Sequence, residues 1–241
     1  MNNLSYIHYV NLTLGNGNYE MVELLRIPGS EATSATVVGN TLYYVSYGGT
    51  IKRYDLVADK ALLPWRKNAA NQGDIFLFRY GNRIAYHSLT GNIGIINTNP
   101  YREEVIIDKR NANIRFADND SLFYSYTING QAFLYEYSTI GHKLITNRNP
   151  LTFFPYKNGY IYDYLNEVHF YDGVKDTVIY SFNLAYVNYI GAMFPIAKNT
   201  IRIWHHTRPG FDTKVIDYNL KTKKSKEVTS PYYPYAIAYL H

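Results

Sequence analysis

The sequence contains no cysteine at all. That excludes a disulfide framework, a thiolate nucleophile and a Cys-ligated metal, and it leaves the compartment open, because oxidising and reducing locations both tolerate a Cys-free chain. Charge is also sparse: charged residues make up 18% of the chain, with 24 basic against 19 acidic side chains for a net charge of +5. A balance this mild fits nucleic acid, an acidic partner or neither, and so selects none of them. Long apolar runs are missing too. The most apolar stretch, residues 182–196, is broken by Asn183, Asn188 and Pro195, so nothing reaches the length of a membrane-spanning helix. The start, Met1-Asn2-Asn3-Leu4, has no basic segment, no apolar core and no small-residue cleavage site. These absences predict a soluble, unexported chain that is cytoplasmic or part of a particle assembled in the cytoplasm.

What the chain does have is apolar and aromatic mass. Hydrophobic residues account for 46% of 241 residues, enough for a sizeable core and too many for a disordered chain. Tyrosine dominates the aromatics, with 27 against 11 Phe and 2 Trp.

The tyrosines fall into a pattern. Apolar or aromatic anchors open strands at Leu4, Leu42, Ile84, Leu122, Tyr160 and Ile201, spaced by 38, 42, 38, 38 and 41 residues. Two positions before each anchor stands Asn or Asp: Asn2, Asn40, Asn82, Asp120, Asn158 and Asn199. Such side chains bond local backbone and suit tight turns. Two positions after stand Tyr6, Tyr44, Tyr86, Tyr124, Tyr162 and then Ile203.

A second turn column follows the third strand, at Tyr54-Asp55, Ile96-Asn97, Tyr137-Ser138, Tyr171-Asp172 and Tyr218-Asn219; the first unit has Ile27-Pro28-Gly29 instead. Between landmarks the alternation has period two, as in Thr50-Ile51-Lys52-Arg53-Tyr54. Each unit therefore reads as four short strands, the last near residues 35–38, 75–80, 113–117, 151–156, 189–197 and 235–240.

Four strands per roughly forty residues, repeated, is the pattern of a propeller blade. The expectation is an all-β, six-bladed β-propeller with four antiparallel strands per blade. It forms one domain over residues 1–241, with units at about 4–41, 42–83, 84–121, 122–159, 160–200 and 201–241. The phase predicts that the C-terminal strand, residues 235–240, becomes the innermost strand of the first blade and closes the ring. The run Leu42-Tyr43-Tyr44-Val45-Ser46-Tyr47-Gly48-Gly49-Thr50-Ile51-Lys52-Arg53-Tyr54-Asp55-Leu56 resembles one blade of six-bladed propellers of the YWTD and TolB-like type, with weaker copies over nearly the whole chain. The resemblance implies architecture, since such propellers include receptors, scaffolds, lectins, virion parts and enzymes.

The tyrosine column reads as packing between blades with each hydroxyl seeking a partner, and the Asx columns read as turn chemistry. His205 and His206 are adjacent on a strand, point to opposite faces and cannot share a metal ion. No His-rich spacing, paired carboxylate column or phosphate-binding Gly loop is marked: Gly15-Asn16-Gly17-Asn18 has no helix after it. No cofactor or metal is expected. One constellation exceeds the needs of a blade. The loops between outer and next inner strands carry Arg66, Lys67, Lys109, Arg110 and Arg148, joined by Arg208, and are expected to form a basic channel rim that attracts a carboxylate, a phosphate or an acidic partner surface.

The reading that follows is a non-enzymatic scaffold, or a subunit of a larger assembly such as a phage tail or virion, with protein partners. The alternative is a ligand-binding propeller that takes a glycan or small anion. A lyase or lactonase with its site at the channel mouth ranks third. Neither a membrane nor nucleic acid is the expected partner.

Overall fold

The computed structural model describes residues 4–11, 20–28, 32–46, 50–65, 75–88, 91–109, 111–182, 189–207 and 212–229. Among them there is no helix. Five four-stranded antiparallel sheets account for β3 to β22, and β1 (Leu4–Asn11) pairs with β2 (Glu20–Pro28). The first full sheet holds β3 (Ala32–Val38), β4 (Thr41–Ser46), β5 (Thr50–Asp55) and β6 (Lys60–Trp65). The second holds β7 (Ile75–Tyr80), β8 (Arg83–Ser88), β9 (Asn92–Thr98) and β10 (Tyr101–Asp108). The third holds β11 (Asn113–Ala117), β12 (Leu122–Ile128), β13 (Gln131–Ser138) and β14 (Gly141–Thr146). The fourth holds β15 (Phe153–Tyr156), β16 (Gly159–Tyr164), β17 (Glu167–Tyr171) and β18 (Asp176–Ser181). The fifth holds β19 (Tyr189–Ala197), β20 (Thr200–Thr207), β21 (Asp212–Asn219) and β22 (Lys224–Val228). Two compact units divide these strands, one holding β3 to β14 and the other β15 to β22.

Each full sheet begins with the strand that closes a sequence repeat and pairs it with the anchor strand of the next. The expected last strands at 35–38, 75–80, 113–117, 151–156 and 189–197 are β3, β7, β11, β15 and β19. The sixth, at 235–240, lies outside the described residues, and with it the expected closure.

Turn chemistry explains the joints. Between the first and second strands, Gly39, Gly81 and Lys157 take positive φ immediately before Asn40, Asn82 and Asn158, which do not. Positive φ at only the first of two loop residues fits a type II′ hairpin, whose twist matches that of the strands. Between the third and fourth strands, one Asx oxygen accepts two backbone amides. Asp55 Oδ1 takes Val57 and Ala58, Asp172 Oδ1 takes Val174 and Lys175, and Asn219 Oδ1 takes Lys221 and Thr222, all within 2.7–3.0 Å. These bonds hold the Asp55 and Asp172 carboxyls below the usual carboxylate range.

Within the first unit the tyrosine column packs sheet on sheet. Tyr86 joins Tyr43, Val45, Ile51 and Trp65 of the preceding sheet, and Tyr124 joins Ala85, Ile93, Ile95 and Ile107 of the one before it. Burying each such ring contributes about 2–3 kcal/mol. Polar groups also cross between sheets. Ser34 Oγ accepts the amide of Leu77 at 2.9 Å, and the Tyr80 hydroxyl donates to the carbonyl of Asp120 at 3.4 Å. In the second unit the Tyr156 hydroxyl donates to Asn199 Oδ1 at 3.0 Å. The Asx of one hairpin thus anchors the first strand of the sheet before it.

Candidate functional site

Register sets a row across each sheet: Leu77–Tyr86–Gly94–Val105, Ile114–Tyr124–Tyr135–Leu144, Phe153–Tyr162–His169–Val178 and Met193–Ile203–Ile216–Glu227. Directly opposed residues share a face, so each row runs from a buried first strand to an exposed fourth. Val105, Leu144 and Val178 are about half exposed, at 50%, 51% and 46%. In the first sheet, Leu63 lies in the bulge opposite Lys52, the partner of Tyr44, and is 81% exposed. Four of five fourth strands therefore present an apolar residue to solvent at one column, and the fifth presents Glu227.

The tyrosine hydroxyls reach past the third strand to a polar group on the fourth. Tyr86 donates to Glu103 Oε1 at 2.6 Å, Tyr124 meets His142 Nδ1 at 3.0 Å and Tyr162 donates to Asp176 Oδ2 at 2.7 Å. Gly94 makes room for the first of these: a Cβ there would lie 2.5 Å from the Tyr86 ring. Burial raises the phenol pKa of all three, and for Tyr86 and Tyr162 donation to a carboxylate raises it further. Tyr101, sharing Glu103 with Tyr86 at 3.0 Å, is pushed up to about 12 by burial and by that carboxylate's charge.

The densest polar constellation is in the fourth sheet, around His169. Its side chain is only 4% exposed and stacks on Tyr162, with ring centroids 5.1 Å apart. Arg148 Nη1 lies 2.6 Å from Asp176 Oδ2, 2.9 Å from His169 Nδ1 and 3.0 Å from the Tyr162 hydroxyl. The guanidinium also covers the Tyr164 ring at 4.8 Å. On the far side, His169 Nε2 meets Glu167 Oε2 at 3.1 Å. His169 Nδ1 also lies 3.2 Å from Asp176 Oδ1, so the ring sits between two carboxylates and the Arg148 guanidinium. Every group in the set is engaged by another. The arrangement ties the loop at Arg148 to β16, β17 and β18.

The expected basic rim divides as follows. Arg66, Lys67, Arg110 and Arg208 lie outside the described residues. Lys109 is exposed, with its ammonium 5.2 Å from the centre of the Tyr126 ring. Arg148 makes the contacts just given. Tyr126 and Tyr164 occupy the same repeat column, so the two described cations each cover an equivalent tyrosine, a pairing not expected from the linear sequence.

Two other histidines are buried against aromatic rings. His87, 7% exposed between Phe76 and Phe78, accepts the Ile114 amide through Nδ1 at 3.2 Å. Burial, then the charge of Arg115, lowers its pKa from 6.5 to about 4. His205 is 3% exposed and stacks on Phe182 at 3.7 Å. No group of three or more metal-ligating side chains occurs among the described residues.

Several solved structures share this architecture. Hsv2p from Kluyveromyces lactis is similar at a TM-score of 0.56 and 15% identity, over 83% of this chain and 65% of that one. A chain of the mitotic checkpoint complex gives 0.58 and 13% over 93% and 74%. The C-terminal WD40 domain of Sif2 gives 0.55 and 8% over 90% and 75%. The fold is of the β-propeller type. The chain spans less than two thirds of Hsv2p and, at 64%, of the computationally designed Ika8 protein, which matches with a TM-score of 0.58 and 14% identity. No protein-family model matches the chain. No curated protein matches it in sequence.

Proposed function

We propose that the chain is a non-enzymatic interaction scaffold, a six-bladed propeller serving as a subunit of a larger assembly such as a phage tail or virion. One observation carries the reading. The residues repeated from sheet to sheet serve packing and turns, and the repeated feature left facing solvent is the apolar column Leu63, Val105, Leu144 and Val178. Exposed apolar residues on unpaired sheet edges suit contact with other chains. Two observations support it. The polar set around His169 is satisfied internally. One structural neighbour comes from a protein complex, the mitotic checkpoint complex. The YWTD and TolB-like blade type is part of this proposal. So is the rim of Arg66, Lys67, Lys109, Arg110, Arg148 and Arg208 as a contact for an acidic partner surface, to which Arg148, paired with Asp176, contributes least.

The test is sedimentation of the tagged chain from its native source, with cross-linking and identification of what travels with it. Stoichiometric recovery in a large particle is the expected result. Migration as a free 27.9 kDa species would overturn the reading. A companion variant, V105K/L144K/V178K, is expected to lose the partner while its unfolding free energy changes by only about 0.5 kcal/mol per site.

A further inference from the structure

The second unit contains a groove of about 540 Å³ between the last strand of the fourth sheet and the β21–β22 hairpin of the fifth. One wall is residues 177–181 of β18; Tyr218 and Lys223 form the other. Because β18 ends the order β15-β16-β17-β18, one side of its backbone pairs with β17, and no described strand pairs with the other. The register bulges between Val178 and Tyr180, and the Tyr218 hydroxyl donates to the Ile179 carbonyl there at 2.6 Å. Tyr180 and Tyr218 meet with ring centroids 4.9 Å apart, which holds the hairpin against the strand edge at one point.

The hairpin is basic. Lys221, Lys223, Lys224 and Lys226 are all exposed within six residues. The Asn219 side chain fixes the turn by accepting the amides of Lys221 and Thr222, and the Lys223 amide donates to the Asn219 carbonyl at 2.9 Å. Among the described residues, no carboxylate lines the groove. Glu227, the acid on β22, sits 3.5 Å from Lys214. An open strand edge thus runs beside Lys223 in the hairpin turn; Lys224 and Lys226, opposite Asn219 and Asp217, share the face away from Tyr218, and half-exposed Val178, opposite His169, offers apolar footing on the sheet face away from Tyr180.

We propose that the β18 edge receives an extended, acidic, alternately apolar segment of a partner protein as an added strand. This rests on the scaffold reading and names the partner's chemistry. Main-chain pairing gives such a segment affinity, and alternate side chains give it specificity. Its carboxylates meet Lys223 on the Tyr180 face, and its apolar residues meet Val178 on the other. A nucleic acid would satisfy the lysines and leave the amide edge unused, so the edge favours a peptide.

The experiment uses the full chain and a fluorescein-labelled peptide of about eight alternating Glu and Val residues, long enough to pair along the strand. Its Lys–Val counterpart and a version N-methylated at alternate amides are the controls. The Glu–Val peptide is expected to bind saturably, to slow hydrogen exchange at residues 177–181, and to weaken about tenfold in K223E/K224E or on N-methylation. Equal binding of the N-methylated peptide, or protection elsewhere, overturns the added strand. Binding of polyuridine that is lost in K223E/K224E, with no peptide protection at 177–181, assigns the hairpin to nucleic acid and overturns it as well. Sedimentation of K223E/K224E from the native source separates the two readings. If the variant retains its partner and no peptide protects 177–181, this site fails and the scaffold stands. If the chain travels alone while the peptide protects 177–181, the scaffold fails and the site stands.

Discussion

At the scale of single residues, the tyrosine column decides which changes the core tolerates. Tyr86 fits because position 94 has no Cβ, and its ring is held at the far end by Glu103. Gly94→Ala would push that buried ring and is expected to cost about 1–3 kcal/mol, the usual penalty of overpacking. Shortening the ring should relieve it, so the Gly94→Ala effect in a Tyr86→Leu background should be smaller by about 1 kcal/mol or more. Denaturant midpoints of the two single variants and the double one check this; additive losses would mean that the two side chains do not compete for the space.

His87 makes a prediction in pH. Its folded pKa is lowered from 6.5 to about 4 by burial first, so the unfolded chain binds a proton that the folded chain refuses. Stability is therefore full above about pH 6.5 and falls as the pH drops toward 4, by about 3 kcal/mol at most. His87→Gln removes the titration and is expected to flatten the fall between pH 7.5 and 5, read as the difference between wild-type and variant midpoints. A variant that loses stability as steeply as the wild type would show that His87 is not the group refusing the proton.

Elements show where sequence reading worked and where it stopped. Hairpin positions were legible because Asx residues recur at them, and after the third strand Asp55, Asp172 and Asn219 serve as the turn acceptors. Strand faces were legible because period-two alternation puts Tyr44, Tyr86, Tyr124 and Tyr162 inside. The partners of those tyrosines were not. Glu103, His142 and Asp176 differ in chemistry and follow their tyrosines by 17, 18 and 14 residues, since the hairpins differ in length. No column forms, so no repeat signal exists. Arg148 was similarly hidden, because a loop cation's ion pair depends on which β18 residue the register brings beneath it. Its pairing carries a consequence for stability. Arg148→Ala strips Asp176 and the Tyr162 hydroxyl of their shared cation in a site about 30% exposed, and is expected to cost about 1–2 kcal/mol, between the values for surface and buried pairs. In a double-mutant cycle with Asp176→Asn, a coupling near zero would show that the pair does not brace the sheet.

Across the whole molecule, the phase of the repeat makes the strongest demand. Every full sheet takes its first strand from the residues just before an Asx hairpin, as β3 precedes Asn40 and β19 precedes Asn199. Applied to the Asx position at Asn2, the same rule calls for a strand before it, and the Tyr-Ala-Ile-Ala-Tyr-Leu run at 235–240 has the alternation such a strand needs. A strand added this way would pair an edge of β1 that no described strand pairs with, and it would bury several apolar side chains at about 1.5–3 kcal/mol each. Deleting residues 235–241 is therefore expected to lower the unfolding free energy by about 3 kcal/mol or more, a loss out of proportion to seven terminal residues, which commonly contribute little when nothing ties them down. Equilibrium denaturation of the full and shortened chains measures the difference directly. A shortened chain with an unchanged midpoint would mean that the repeat's phase does not run through the termini, and the six-unit register would fall with it.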